Sequence, residues 1–405
     1  MQRSKAFACL FLSILLLSSL FVSGCRQAPP SVLTDPTTNE TTPNTTERTD
    51  QTTMDKTPVT TPEEKPNTPT KPLELVANTY HLCNNRENFK RYGRMTEHKD
   101  GLTCDFTASG IEFYGILQGD VILSLSCSAD TYFTVFIDNV RQEERFYATS
   151  TTEQLCIASF AEAGEHTVRV LKQTEAQWSL CVLKSVSLEG YLYPAPENRE
   201  FLIEFIGDSI TCGYGNLGNP STPVAGIASM QNGTQAFAFL TAEALNAEAN
   251  IVACSGIGIA KGWTDMNELA FYQKTCYYRD KEKSYEGNTR IPNLIVINLG
   301  TNDQDRGCEE QAFKDRMREF LTYIRESYGT DVPIVWMYNM MTYGCFTWAR
   351  PIIAEFGGEG AGIYTLQLTP NKLGAGNHPS LEAHYAASEQ LTAFIKEKNL
   401  LDNVN

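Results

Sequence analysis

The sequence predicts an α/β domain built on a parallel sheet over residues 199–405, preceded by an all-β sandwich domain over residues 73–195. Three observations predict it. In the C-terminal half, apolar runs alternate with helical stretches, the pattern of a parallel sheet covered by helices on both faces. In the N-terminal half, short alternating runs are separated by turn signals, with no helical stretch of useful length between them. Between the halves, Pro194-Ala195-Pro196-Glu197-Asn198 makes a stiff link.

Taken in order, the first 25 residues read as a processing signal. Arg3 and Lys5 give a basic start, Ala6 to Val22 are apolar, and Val22-Ser23-Gly24-Cys25 has the form of a bacterial lipobox. Cys25 is then the expected lipidated N-terminus of an exported chain anchored to the outer face of a membrane. An ordinary signal peptide with an incidental cysteine is the alternative. Residues 26–72 are rich in Thr and Pro and poor in large apolar side chains. Such a composition cannot bury a core and reads as an extended, solvated tether.

The sandwich is read from runs such as Gly110 to Gly115, Tyr132 to Ile137 and His166 to Leu171. Asp138-Asn139 and Ala163-Gly164-Glu165 are its turn signals. A domain of about 120 residues is large enough to bury its own core.

In the second domain, Phe201 to Ile206 run straight into Gly207-Asp208-Ser209. An apolar run of this length reads as a buried strand, and a serine at its carboxyl end stands where open α/β sheets bind their ligands. It is placed to be a nucleophile if a base and an oxyanion site meet it. The bland alternative is that Asp208-Ser209 merely caps the next helix. A second run, Ala249 to Cys254, ends in Ser255-Gly256-Ile257-Gly258, and a third, Asn293 to Leu299, ends in Gly300-Thr301-Asn302-Asp303. Pro333 to Tyr338 and Ile363 to Leu368 add two more strands. Gln235 to Ala247, Glu309 to Tyr328 and Leu381 to Lys398 read as helices. Asn377-His378-Pro379-Ser380 lies just before the last of them.

Four separate elements thus supply Ser, Gly, Asn and His in order. The chain resembles the SGNH (GDSL-type) hydrolase superfamily, whose namesake residues stand here as Ser209, Gly256, Asn302 and His378. The resemblance implies a flavodoxin-like parallel sheet and an ester hydrolase. Ser209 would attack the carbonyl and His378 would take its proton and return it to the leaving alcohol. The N–H groups of Ser209 and Gly256 and the amide of Asn302 would form the oxyanion hole, with Gly258 a rival for the role of Gly256. Asp208 and Asp303 read as turn and hydrogen-bond supports. Many family members carry an Asp two or three residues before the histidine, where this chain has Ala375 and Gly376. Either a backbone carbonyl orients His378, or a carboxylate such as Glu382 arrives from elsewhere. We expect a Ser-His dyad with a main-chain acceptor on Nδ1.

A β-sandwich fused ahead of such a domain narrows the resemblance to carbohydrate esterase family 2, in which a jelly-roll domain precedes an SGNH esterase. Arg91-Tyr92-Gly93-Arg94, Gly207 through Gly215 and Asn339-Met340-Met341 also fit that family. The resemblance implies removal of acetyl groups from plant hemicellulose such as xylan or glucomannan. Other expectations compete with it: an SGNH esterase acting on a lipid, thioester or cell-envelope glycan, or a carbohydrate-binding surface protein without activity.

Sugar sites need flat apolar faces. Trp263, Trp336 and Trp348 fall in the second domain, and Trp348, in the loop-like stretch Cys345 to Arg350, is the expected substrate platform. Of twelve cysteines, removing Cys9 and Cys25 leaves ten, scattered singly and often inside apolar runs, which suggests mostly free thiols. With no Cys/His cluster, no zinc site is expected. His384, the chief competitor of His378, falls inside the last helix. A net charge of −15 argues against nucleic acid or an anionic lipid surface as partner. No P-loop or dinucleotide fingerprint is present, and ester cleavage of this kind needs no cofactor. The expected partner is an acetylated polysaccharide or oligosaccharide, with the membrane reached only through the N-terminal lipid.

Overall fold

A computed structural model describes residues 75–224, 227–287 and 290–401. The signal sequence, Cys25 and the Thr/Pro-rich stretch lie outside the described residues. Among those described, no helix is long and apolar enough to cross a membrane.

The first domain is antiparallel throughout. Its strands are β1 (Ala77–His81), β2 (Lys90–Tyr92), β3 (Glu97–His98), β4 (Gly101–Thr103), β5 (Gly110–Cys127), β6 (Thr131–Ile137), β7 (Val140–Arg141), β8 (Phe146–Ala148), β9 (Gln154–Lys172) and β10 (Cys181–Leu192). They form one sheet in the order β3-β4-β10-β5-β9-β6-β7, with β1 on β10, β2 on β5 and β8 on β6. The alternation read from sequence is the pleat: Val121, Leu123, Leu125 and Cys127 point inward while their neighbours are less buried. The pairing of β5 with β9 shifts at Leu117/Gly119 and again at Val121/Ile122. Such bulges bend long strands, and the sheet curls around a core that includes Phe113, Leu123, Phe133 and Val168. The expected sandwich is therefore a single curled sheet. The stretch Ala163-Gly164-Glu165 is not a turn; it runs inside β9, where Gly164 pairs with Leu117 at the first register shift. Asp138 and Asn139 have φ of 51° and 65° and link β6 to β7, the two positive φ values that a type I′ hairpin requires.

The second domain holds β11 (Leu202–Gly207), β12 (Glu248–Ala253), β13 (Leu294–Asn298), β14 (Ile334–Tyr338) and β15 (Ile363–Gln367). They form a parallel sheet ordered β12-β11-β13-β14-β15. Every residue of β11, β12 and β13 is buried, which is why these strands read as continuous apolar runs. The helices are α1 (Ser209–Cys212), α2 (Phe237–Ala244), α3 (Glu268–Tyr272), α4 (Thr301–Asp305), α5 (Glu310–Tyr328), α6 (Phe346–Glu355) and α7 (Leu381–Glu397). Successive strand residues serve opposite faces. Phe205, Val296 and Val335 pack with α2 and α7, whereas Ile206, Ile297 and Trp336 pack with α3, α5 and α6.

Buried polar contacts join the domains. Lys90 Nζ lies 2.7 Å from Glu248, and Arg94 donates to the carbonyls of Tyr272 and Lys274, both at 2.8 Å. Arg169 grips Glu243 through two bonds of 3.0 and 2.9 Å, and Arg279 grips Asp105 through two of 2.7 Å. Arg94 of the Arg91-Tyr92-Gly93-Arg94 stretch thus serves the seam between the domains.

Candidate active site

Ser209 opens α1 directly after β11. Asp208 is the N-cap, its Oδ1 accepting from the N–H of Ile210 at 2.9 Å. The capping reading therefore describes Asp208 and leaves the serine hydroxyl free for another partner. That partner is His378, whose Nε2 lies 2.8 Å from Ser209 Oγ. The other ring nitrogen, Nδ1, lies 3.0 Å from the carbonyl oxygen of Gly376. Gly376 has φ 60° and ψ 31°, and Asn377 follows at φ 56°. Two consecutive left-handed residues turn the chain back sharply enough for a carbonyl two positions upstream to meet the ring, and a glycine makes the first of them cheap. Ala375 N–H donates to Gly215 O at 2.9 Å, tying this turn to the loop after α1. Glu382 is exposed at the start of α7 and bonds Ser380. Burial lowers His378 below its ordinary value of 6.5, while its bond to the Gly376 carbonyl raises it. A depressed value keeps the imidazole neutral, the form that can accept a proton.

Asn302 lies one residue into α4. Its Nδ2 donates to the carbonyl of Ile257 at 2.8 Å and to Asp208 Oδ2 at 3.2 Å. Asp208 is fully buried and pushed up to about 7, chiefly by burial. Asp303 holds the loop that follows Gly256, accepting from the N–H groups of Ile259, Ala260 and Lys261 at 2.8–2.9 Å. Within that loop the two glycines differ. A Cβ on Gly258 would meet Lys261 O at 2.2 Å, so its size requirement comes from loop closure. Gly256 instead needs its backbone conformation, φ 82°.

The aromatic surroundings depart from expectation. Trp348 is not in a loop: it lies in α6, partly buried, with its ring edge-on to Phe313 of α5 at 6.0 Å. The helix begins at a left-handed Cys345 and carries Pro351 inside it, two features that read locally as chain breaks. Trp336 is wholly buried in the core, whereas Trp263 is 64% exposed on the loop after Gly256, its indole bonded to Asp305 at 3.0 Å. Two aromatics that the sequence reading missed flank the dyad. The Tyr214 ring is 4.4 Å from that of His378, and Trp178, from the first domain, is 6.3 Å from Tyr214. The sequence signals for them are the stretch Gly207 through Gly215, which contains Tyr214, and a tryptophan in a polar connector between two strands. His384 is buried behind α2, where Nδ1 accepts from Phe237 N–H at 3.1 Å and burial pushes it down to about 3. All ten described cysteines are unbonded; Cys127 and Cys181 face each other with sulfurs 3.5 Å apart.

A hydroxyl on a neutral imidazole, beside an amide donor and a glycine turn at the carboxyl end of a parallel sheet, can carry out acyl transfer. Known proteins agree with that chemistry. Residues 205–397 match the GDSL-like Lipase/Acylhydrolase family, and residues 92–196 match the Carbohydrate esterase 2 N-terminal family. The chain is 29% identical over 318 residues to the cellulase/esterase CelE of Acetivibrio thermocellus, covering 74% of this chain but 38% of CelE. It is 26% identical over 248 residues to an acetylxylan esterase/glucomannan deacetylase of Cellvibrio japonicus, covering 59% of this chain and 67% of that one. A solved family two carbohydrate esterase from Clostridium thermocellum, in complex with cellohexaose, superposes with a TM-score of 0.71 at 26% identity, covering 77% of this chain and 99% of that structure. Residues 205–397 thus form a GDSL-like lipase/acylhydrolase domain, and residues 92–196 ahead of it a carbohydrate esterase 2 N-terminal domain.

Proposed function

We propose that this protein is a carbohydrate O-acetyl esterase that removes acetyl groups from hemicellulose such as xylan or glucomannan through an acyl-enzyme on Ser209. The observation that carries the reading is the 2.8 Å contact of Ser209 Oγ with His378 Nε2, with Nδ1 anchored on the Gly376 carbonyl. His378 takes the hydroxyl proton as Oγ bonds to the acetyl carbonyl carbon. The oxyanion draws on Asn302 Nδ2 and the N–H groups of Ser209 and Gly256. Collapse breaks the bond to the sugar oxygen, which leaves with the proton from His378. Water, deprotonated by the same imidazole, then releases acetate and restores the serine. A carbohydrate substrate is supported by the names of the relatives and by the exposed rings of Trp178 and Trp263. The lipobox reading adds a location: a lipid on Cys25 would hold the enzyme at the outer face of a membrane, with residues 26–72 as tether.

The test is acetate release from acetylated xylan, acetylated glucomannan and a short-chain aryl acetate, with wild type beside Ser209→Ala. Release that vanishes in the variant supports the esterase and ranks its substrates. Cleavage of octanoyl but not acetyl esters would replace the deacetylase with a lipid-type esterase. Sugar binding without release of any acyl group would leave a binding protein.

A further inference from the structure

The connector between β9 and β10 belongs to the first domain, yet its side chains reach the catalytic end of the second. Lys172, fully buried, gathers it: the ammonium donates to the carbonyls of Asp105 (2.7 Å), Thr174 (2.8 Å), Glu175 (3.3 Å) and Ser179 (2.7 Å). Built on that cation, the connector sends the Glu175 carboxylate, with no exposure of its own, into the α/β domain. Oε2 accepts from the N–H of Ser255 at 2.6 Å, and Oε1 accepts the Ser255 hydroxyl. Oε1 also receives the Trp178 indole N–H at 2.8 Å and the Gln231 amide at 3.2 Å. Gln231 Nε2 lies 3.2 Å from the carbonyl of Cys212, the last residue of the helix that Ser209 begins. One carboxylate thus holds the residue before Gly256, braces α1 and anchors the indole beside Tyr214.

Such an arrangement is costly for stability alone. Burial raises the proton affinity of Glu175, and a buried ionised carboxylate must be matched by several donors to survive. Its five donors, the Cys212 thiol at 3.6 Å among them, converge where the reaction needs rigidity, and an apolar residue would fill the same space without them. We propose that Glu175 is a positioning residue supplied by the first domain to the hydrolase site, fixing Ser255 and thereby the Gly256 N–H that receives the oxyanion. The proposal rests on the serine-esterase reading above.

The experiment measures phosphonylation of Ser209 by a fluorophosphonate in the full chain, a reaction that needs the activated hydroxyl and the oxyanion donors but no particular acyl substrate. In Glu175→Gln the labelling rate is expected to fall about 10- to 100-fold, the scale of a misplaced oxyanion donor. The kcat on an aryl acetate, referred to the enzyme that the fluorophosphonate finally labels, should fall by the same factor with KM within about twofold; loss of folded protein lowers the extent of labelling and leaves its rate constant unchanged. Wild-type labelling and kcat in a variant with native melting would overturn the proposal. Should Glu175→Gln not fold, Ser255→Ala keeps the backbone bond and removes the hydroxyl one. Labelling slowed a few-fold then supports the role, and an unchanged rate overturns it. Wild type that is labelled at Ser209 but releases no acetate sinks the deacetylase reading, while the labelling rates still decide for or against Glu175.

Discussion

The two domains bury their chains by opposite means. The first curls one antiparallel sheet around itself, so its strands alternate and its cost is paid in bends at Leu117/Gly119 and Val121/Ile122. The second buries a parallel sheet on both faces under helices, so its strands are mostly apolar runs, all buried in β11, β12 and β13, and the loops at their carboxyl ends carry the candidate site. The difference teaches where to look for chemistry. In the second domain the candidate site stands at strand ends, with Ser209, Gly256 and Asn302. In the first the place to look is the buried charges that its own core does not use: Lys90, Arg94, Arg169 and Glu175 all find partners across the seam.

That division can be broken by experiment. The largest effect belongs to the nucleophile: Ser209→Ala should lose about 10⁶-fold in kcat, the scale of nucleophile loss in serine hydrolases, with the melting temperature unchanged. Asn302→Ala should lose about 10²–10³-fold in kcat on an aryl acetate. Smaller or purely KM effects would remove it from the oxyanion site. In the first domain the expected loss is of stability. Arg169→Met removes the two-bonded partner of Glu243 but leaves it Arg199 at 2.7 Å, so it should cost on the order of 1–2 kcal/mol in denaturant unfolding, below the full cost of a broken buried pair, while leaving kcat within about twofold. A collapse of kcat in folded Arg169→Met would show that the whole seam, beyond Glu175, governs catalysis.

The orienting group of His378 gives a finer test. Gly376→Ala puts a Cβ on a left-handed residue and shifts the carbonyl that holds Nδ1, and kcat should drop about tenfold, whereas Glu382→Ala should change nothing. Loss of an orienting carboxylate costs about 10⁴ in serine proteases, so a fall of that size in Glu382→Ala would reinstate the acid and discard the backbone acceptor. The smallest effect is in the pH profile. Because His378 is depressed by burial, it stays neutral as pH falls through 6.5 and is lost as a base only below. The acid limb of kcat/KM should therefore have its midpoint under 6.5; a midpoint at 7 or above would contradict the buried geometry.

Much of this was legible in the chain. The five parallel strands and the helices α2, α5 and α7 show their burial as local pattern, so their ends differ from the reading by a residue or two, with α2 shorter at both ends. Ser209, Gly256 and Asn302 could be singled out as candidates because they sit just past the points where those strands stop. Trp348 failed for a local reason as well: a left-handed start and an internal proline disguise α6 as loop. Gly164 failed because a glycine at a bulge and a glycine in a turn look alike in sequence.

By itself, the sequence determined the strands, the order of the two domains and the three candidate residues placed just after strand ends, because burial on one or both faces leaves a periodic trace within a few residues. Only the tertiary structure decided what holds His378, which aromatics flank it and that Glu175 reaches Ser255. Ser209 and His378 are 169 residues apart, and Glu175 and Ser255 are 80 apart. A hydrogen bond between distant residues depends on where the whole fold carries each backbone, and no local pattern records that distance.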